Sequence, residues 1–347
     1  TERFPNIERK VSVLYARESI AKFSFILDSN VWIGSDHEIR GQYHSNGGIR
    51  FDGENQSIVT SARDTWFCTE SFGCNPPENK PGIFTTTGNS NPDLFDFPTP
   101  PFDFEGITID LAQMKQASQT SGVYLPPSKN LDSNGKGYHI KFKDNGTFEA
   151  WIITGLSSTN AYSLEEGWHD DYFTINGEYL YNTYVIPTAC SAIFVEDNIW
   201  PEGEVKGKVA IASADLIDPN LDTGAVLQGN IDYDKKDGSD SLLVIGEKNV
   251  LIGPNSPNNM ELRGIFVAQK GRFSRNHYPN NFRDKLEIFG TIISSGRVGT
   301  KWTSGGQVVS GYLKRETYFD ANLLYNTPPF VPYASSDFKI VNWQALK

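Results

Sequence analysis

Two hydrophobic patterns follow one another along the chain. Between Asn6 and Leu27 the apolar positions Ile7, Val11, Leu14, Ile20, Phe23 and Leu27 fall mostly three or four residues apart on a background of Glu, Lys and Arg. That period predicts an amphipathic helix, with Pro5 ahead of it and Asp28-Ser29-Asn30 as its stop. A second, shorter helix of two or three turns is expected over Ile109 to Ser118, built on Leu111, Met114 and Lys115.

Past residue 30 the pattern shortens into strands of β-branched and aromatic residues bounded by Gly, Asn, Asp or Pro. From Ala192 onward several of them share one form: a half-strand, a glycine, and a second half-strand. The glycines at 207, 229, 246, 264, 290 and 311 recur about every 20 residues, the spacing of a β-solenoid whose coils bury their apolar faces only by stacking. Asn-Gly and Asp-Gly hairpin turns are scarce in this stretch, which favours a parallel β-helix over the alternative, a β-sandwich. Ile39 to Gly53 has the same character, so residues 31–60 are expected to pack with residues 190–320 as part of one body.

The region between reads as an insertion. Residues 76–101 are dense in proline and predict a surface loop. Tyr138 to Ile153 alternates on both sides of Asp144-Asn145-Gly146, a strong hairpin signal. The expected organisation is therefore a mainly β chain: an N-terminal amphipathic α-helix over 1–30, a first β segment over 31–75, a loop and hairpin insertion over 76–190, and a β-solenoid body with its C-terminal tail over 191–347.

Composition narrows the partners. The 347 residues carry a formal net charge of −11, and no basic run exceeds Lys235-Lys236, which argues against nucleic acid. Ile20 to Leu27 contains Lys22 and is far shorter than a bilayer span. Thr1 in place of Met is what a processed or truncated polypeptide would show. Of three cysteines, Cys68 and Cys74 close a short loop suited to a local disulfide, with two free thiols as the alternative; Cys190 lies in an apolar run and reads as a core residue.

The chemistry-bearing motifs are sparse. The five histidines form no HExxH, and no G-x-S-x-G is present, so no catalytic residues are assigned and no enzyme is expected. Asp232, Asp234, Asp237 and Asp240 crowd an oxygen-rich loop that calcium would favour, although the EF-hand spacing is broken and Lys235 and Lys236 intervene. Trp168, His169, Asp170, Asp171 and Tyr172 make the densest polar–aromatic cluster, a candidate for contact with a glycan.

Several segments together resemble a known family. Asp28-Ser-Asn-Val-Trp-Ile33 after the helical pattern, Gly41-Gln-Tyr-His-Ser-Asn-Gly-Gly-Ile-Arg-Phe51, Asn198 to Val209, Ala268-Gln-Lys-Gly-Arg272, Tyr318 to Leu324 and Pro328-Pro-Phe-Val-Pro332 are similar to the large pilin-like, PilX-type proteins associated with bacterial type IV pili. The resemblance implies a non-enzymatic structural or adhesive protein displayed outside the bacterial cell. Its expected partners are pilin-like subunits or copies of itself, and surface glycans. The helical stripe Ile7, Val11, Leu14, Ile20, Phe23 and Leu27 would then be the assembly face. The alternative reading is a β-helical protein that binds or degrades polysaccharide.

Overall fold

The computed structural model describes residues 10–105, 109–218 and 220–346. The chain is mainly β, and among the described residues Leu111–Ser121 is the one α-helix. Most strands pair in parallel. One sheet begins at Val123–Leu125 and continues through Ala192–Val195, Lys208–Ser213, Ser241–Gly246 and the second halves of Asn259–Ala268 and Phe282–Ser294. It then passes to Phe23–Leu27, Gln42–Ser45, Val59–Ser61 and finally Phe95–Asp96.

A single ladder of side chains crosses this sheet in register. It runs from Val123 through Ile193, Ile211, Val244, Phe266, Ile292, Phe25, Tyr43 and Val59 to Phe95. These side chains face the interior, where they share one apolar cluster. The next residue on each strand faces outward: Ala212, Ile245, Val267, Ile293 and Ile26 pack in a second cluster with Leu111 and Met114 of the helix and with Leu323 and Val331. Both faces are thus covered, which is why Ser241–Gly246 is buried at every residue and carries an unbroken apolar run instead of an alternation.

A second parallel sheet turns the corner of the same rungs. Its ladder passes through Ile231, Leu262, Ile288, Thr317, Ile39 and Asn55. Where Asn259–Ala268 and Phe282–Ser294 bend from this sheet into the first, Gly264 and Gly290 stand opposite each other at φ 149° and 136°. A Cβ on Gly290 would lie 2.0 Å from the Gly264 carbonyl oxygen, so two of the recurring glycines are required by conformation and by space.

The order of rungs in space is not the order in sequence. The chain enters in the middle, at Phe23–Leu27, and lays its early rungs toward one end. It crosses to the other end near the helix and climbs back until Phe282–Ser294 meets Phe23–Leu27, pairing Ile292 with Phe25. Residues 31–60 therefore do pack with the later rungs, through Arg315–Thr317 against His37–Ile39.

Among the described residues, from Lys10 on, the N-terminal helix is not formed. Lys10–Ser19 is a strand, Ile20–Lys22 a 3₁₀ turn in which the Ser19 hydroxyl accepts from Ala21 N–H at 3.0 Å, and Phe23–Leu27 a fully buried strand. Val11, Val13 and Tyr15, then Phe23, Phe25 and Leu27, also alternate at period two, and pairing with one distant strand for the first segment and with two for the second overrides the helical spacing. Ile7 lies outside the described residues. Ile20, Phe23 and Leu27 are core residues, whereas Val11 is exposed, so the proposed stripe is not one face.

Lys10–Ser19 instead pairs antiparallel with Tyr333–Leu346. In this two-stranded ribbon Val11, Val13 and Tyr15 stand opposite positions 345, 343 and 340, the last two of them Trp343 and Ile340. Val11, Ile340 and Trp343 are 45%, 60% and 63% exposed. The shorter helix forms over Leu111–Ser121, with the Asp110 carboxylate accepting from Gln113 N–H at 2.9 Å. The hairpin at Asp144-Asn145-Gly146 forms as well, but only Gly146 takes a positive φ, 80°, while the Asn145 side chain accepts from Thr147.

Candidate ligand cleft

A third set of strands flanks the stack, and here the two halves of the chain do not join. Ala225–Leu227, Val250–Ile252 and Phe273–Ser274 form one run, extended by a bridge from Ser274 to Gly299. Val31–Ile33, Ile49–Phe51 and Ile83–Phe84 form a separate sheet. Beside this interruption opens a cleft of about 760 Å³, lined from the early rungs by Trp32, Asp36, Arg50 and Asp52 and from the late ones by Arg272, Arg297, Lys301, Trp302 and Arg315.

Each wall is held by charge pairing. Arg315 donates to both Asp36 oxygens, from Nε at 3.0 Å and Nη2 at 2.9 Å, and Lys301 joins the same carboxylate. Burial pushes the Asp36 carboxyl up, but the two cations outweigh it and hold it below its usual value. Lys301 is itself shifted down by burial, helped by the neighbouring Arg315. His37 next door is lowered to about 3, first by burial and then by Arg315, so it stays neutral, hydrogen-bonded to Thr317 at 3.0 Å.

On the opposite wall Arg50 donates to Asp52 at 2.7 Å and sits 4.1 Å from the Trp32 ring centroid. The indole N–H of Trp32 reaches the same Asp52 oxygen at 2.9 Å, and Thr86 N–H binds its other oxygen at 2.8 Å. The disulfide between Cys68 and Cys74 closes the neighbouring loop, and its Ser71 carbonyl accepts from Arg297 at 3.0 Å. Gly73 allows this close packing: a Cβ there would stand 2.0 Å from an Arg50 nitrogen.

The tip of the long hairpin, strands Thr147–Ser163 and Gly167–Val185, reaches the cleft from the side. Its Glu165 pairs with Arg272 at 3.0 Å. The flagged cluster lies just behind. His169 and Asp171 turn toward the body, while Trp168, Asp170 and Tyr172 are exposed. Buried Asp171 accepts from Tyr278 and Asn276, both at 2.8 Å, and Asn276 in turn accepts from Arg272 at 2.9 Å. Tyr162 and His277 pack against both Trp168 and Trp302. Asp171 is therefore a structural hub that braces the cleft.

The four aspartates of the calcium expectation are not brought together. Asp232 pairs with Lys236 and Arg263, Asp234 with Lys206, Asp237 accepts from Ser239, and buried Asp240 accepts from the backbone of Gly207 and Lys235. Among the described residues no group of three or more His, Cys, Asp or Glu is placed to hold a metal. Backbone, serine, lysine and arginine donors thus already pair with at least one oxygen of each of the four. Cys190 is half-buried against the second cluster and unpaired with another cysteine.

Sequence reasoning missed the cleft because its cations and indoles come from segments far apart in the chain. One local signal existed: Arg297-Val-Gly-Thr-Lys-Trp302 sets two cations and an indole close together in an acidic chain. No helix of the described residues is long and apolar enough to cross a membrane. No family model and no curated protein matches the chain. Among solved structures, the competence-associated pilin ComZ from Thermus thermophilus is similar at 12% identity and a TM-score of 0.39, covering 97% of this chain and 78% of that one, a likeness too distant to carry an argument.

Proposed function

We propose that this chain is the non-enzymatic, displayed body of a bacterial cell-surface assembly of the type IV pilus kind, a parallel β-solenoid that docks through its terminal ribbon to pilin-like subunits or to copies of itself. The observation that carries this reading is an apolar face of the ribbon that no described residue covers. Val11, Val13 and Tyr15 stand exposed beside Ile340 and Trp343, whereas the stacked sheets bury nearly all residues of that kind. A two-stranded ribbon is marginal alone and gains stability when that face is covered. The rigid stack supports the display role, because each rung is held by ladders on two sheets.

Three of the four carboxylates at the cleft fit the non-enzymatic part. Asp36, Asp52 and Glu165 are each tied to a cation, which suits a structural role better than that of a free acid or base. The test is negative-stain microscopy of filaments sheared from the source cells, labelled with an antibody against residues 192–320. Label on filaments that disappears with Val11→Asp, while the purified variant keeps its β circular dichroism, is the expected result. Label confined to the envelope, or filaments still labelled in the variant, would overturn it.

A further inference from the structure

We propose that the cleft binds an anionic saccharide, with a carboxylated or sulfated sugar seated against Trp32 and Trp302 and its anion on Arg297 and Lys301. Charge is the first support. Five cations (Arg50, Arg272, Arg297, Lys301, Arg315) and four carboxylates (Asp36, Asp52, Glu70, Glu165) line the cleft, a balance of 5 − 4 = +1 in a chain of net charge −11. The pairing sharpens it. Asp36 is shared between Arg315 and Lys301, so one of the two positive charges there has no counter-ion of its own. Arg297 is held by the Ser71 carbonyl and by the Phe72 ring, 4.4 Å from its centroid, and the one carboxylate whose charge acts on it, Glu165, is already paired with Arg272. Burial depresses both Lys301 and Arg297 from their ordinary pKa values, the behaviour of partly desolvated cations that an incoming anion would stabilise.

Shape and hydrogen bonding point to a sugar. The indole N–H of Trp302 is taken by the Arg275 carbonyl at 2.8 Å and that of Trp32 by Asp52 at 2.9 Å, so both rings are fixed, and each lines the cleft with the carbon surface left free by Arg50 over Trp32 and by Tyr162 and His277 beside Trp302. Such surface suits the C–H face of a pyranose. The volume, about 760 Å³, lies within the roughly 300–1,000 Å³ of small-molecule sites. Glu70 and Glu165 also line this space, and their carboxylates can accept from sugar hydroxyls, whereas a polyphosphate brings no donor to them. The cleft's use as an adhesive site rests on the display reading above; its affinity for a sugar does not.

The test is an array of uronic-acid, sialic-acid and sulfated oligosaccharides printed beside their uncharged parents, with single-stranded DNA and poly-glutamate spots. The whole chain should be retained on acidic glycans over their parents. The best of these, titrated by tryptophan fluorescence, should bind about 10-fold or more weakly to Arg297→Ala. Arg297→Lys, which keeps the charge, should recover much of that loss, and Tyr172→Ala, on the outward face of the hairpin, should bind as the unaltered chain does. No preference for acidic glycans, retention on DNA or poly-glutamate alone, or an Arg297→Ala variant of undiminished affinity would overturn the assignment. None of these outcomes depends on filament labelling, so either proposal can fail while the other stands.

Discussion

Ser241–Gly246 and Lys10–Ser19 are both strands rich in Val, Leu or Ile, yet every residue of the first is buried and the second exposes Val11, Val13 and Tyr15. The difference lies in their neighbours. The first has a parallel strand on each side, the interior on one face and the helix cluster on the other. The second has one antiparallel partner and no described cover over its apolar face. Similar residues are therefore committed to stability in one place and left available for association in the other.

The largest effect should come from opening a gap in the stack. Phe266 is buried in the ladder between Val244 and Ile292, and Phe266→Ala should cost about 3–5 kcal/mol by urea unfolding. A loss under about 1 kcal/mol would mean that the rungs close over the gap and that the stack is not rigid. Acid should act next. His37 titrates near 6.5 when unfolded and at about 3 when folded, so its contribution is full above pH 6.5 and is lost as pH falls toward 3. At pH 5 the loss is roughly 2 kcal/mol. A His37→Gln chain whose stability falls just as steeply between pH 6.5 and 5 would refute that source.

Opening the small disulfide loop comes third. Cys74→Ser should remove about 2 kcal/mol and loosen the Trp66–Phe72 contact beside the cleft, read as a change in near-ultraviolet circular dichroism. An unchanged spectrum would separate the loop from the cleft wall. Smallest of all, Val13→Asp on the ribbon should shift stability by less than about 0.5 kcal/mol while reducing self-association at high concentration in analytical ultracentrifugation. A large loss of stability there would show that the ribbon belongs to the core and would erase the contrast.

How much could be read from residues alone divides along the same line. The parallel rungs were legible where both faces are covered, because Leu242 to Ile245 leave no polar face. Two of the recurring glycines, 264 and 290, mark the bend where a side chain has no room. The start of the chain was misread because Val11, Phe23 and Leu27 satisfy a period of two and a period near 3.6 alike, and only the distant partners Ala345 and Ile292–Ser294 decide between them. The cleft was illegible for a related reason: Asp36 and Arg315 lie 279 residues apart and meet only where the halves of the stack adjoin. The Asp171 cluster was noticed as chemistry, but burial and two donors make it a brace.

The meeting of Phe25 with Ile292 has a consequence for the birth of the protein. A ribosome makes the early rungs first, and Phe23–Leu27 then shows an unpaired backbone edge until the strand that covers it has been synthesised. Those residues are 292 − 25 = 267 positions apart, so at ~5–20 residues per second the wait is on the order of 10–50 s. Throughout that interval the nascent chain carries an open β edge, a natural hold for a chaperone and a hazard where many copies are made side by side.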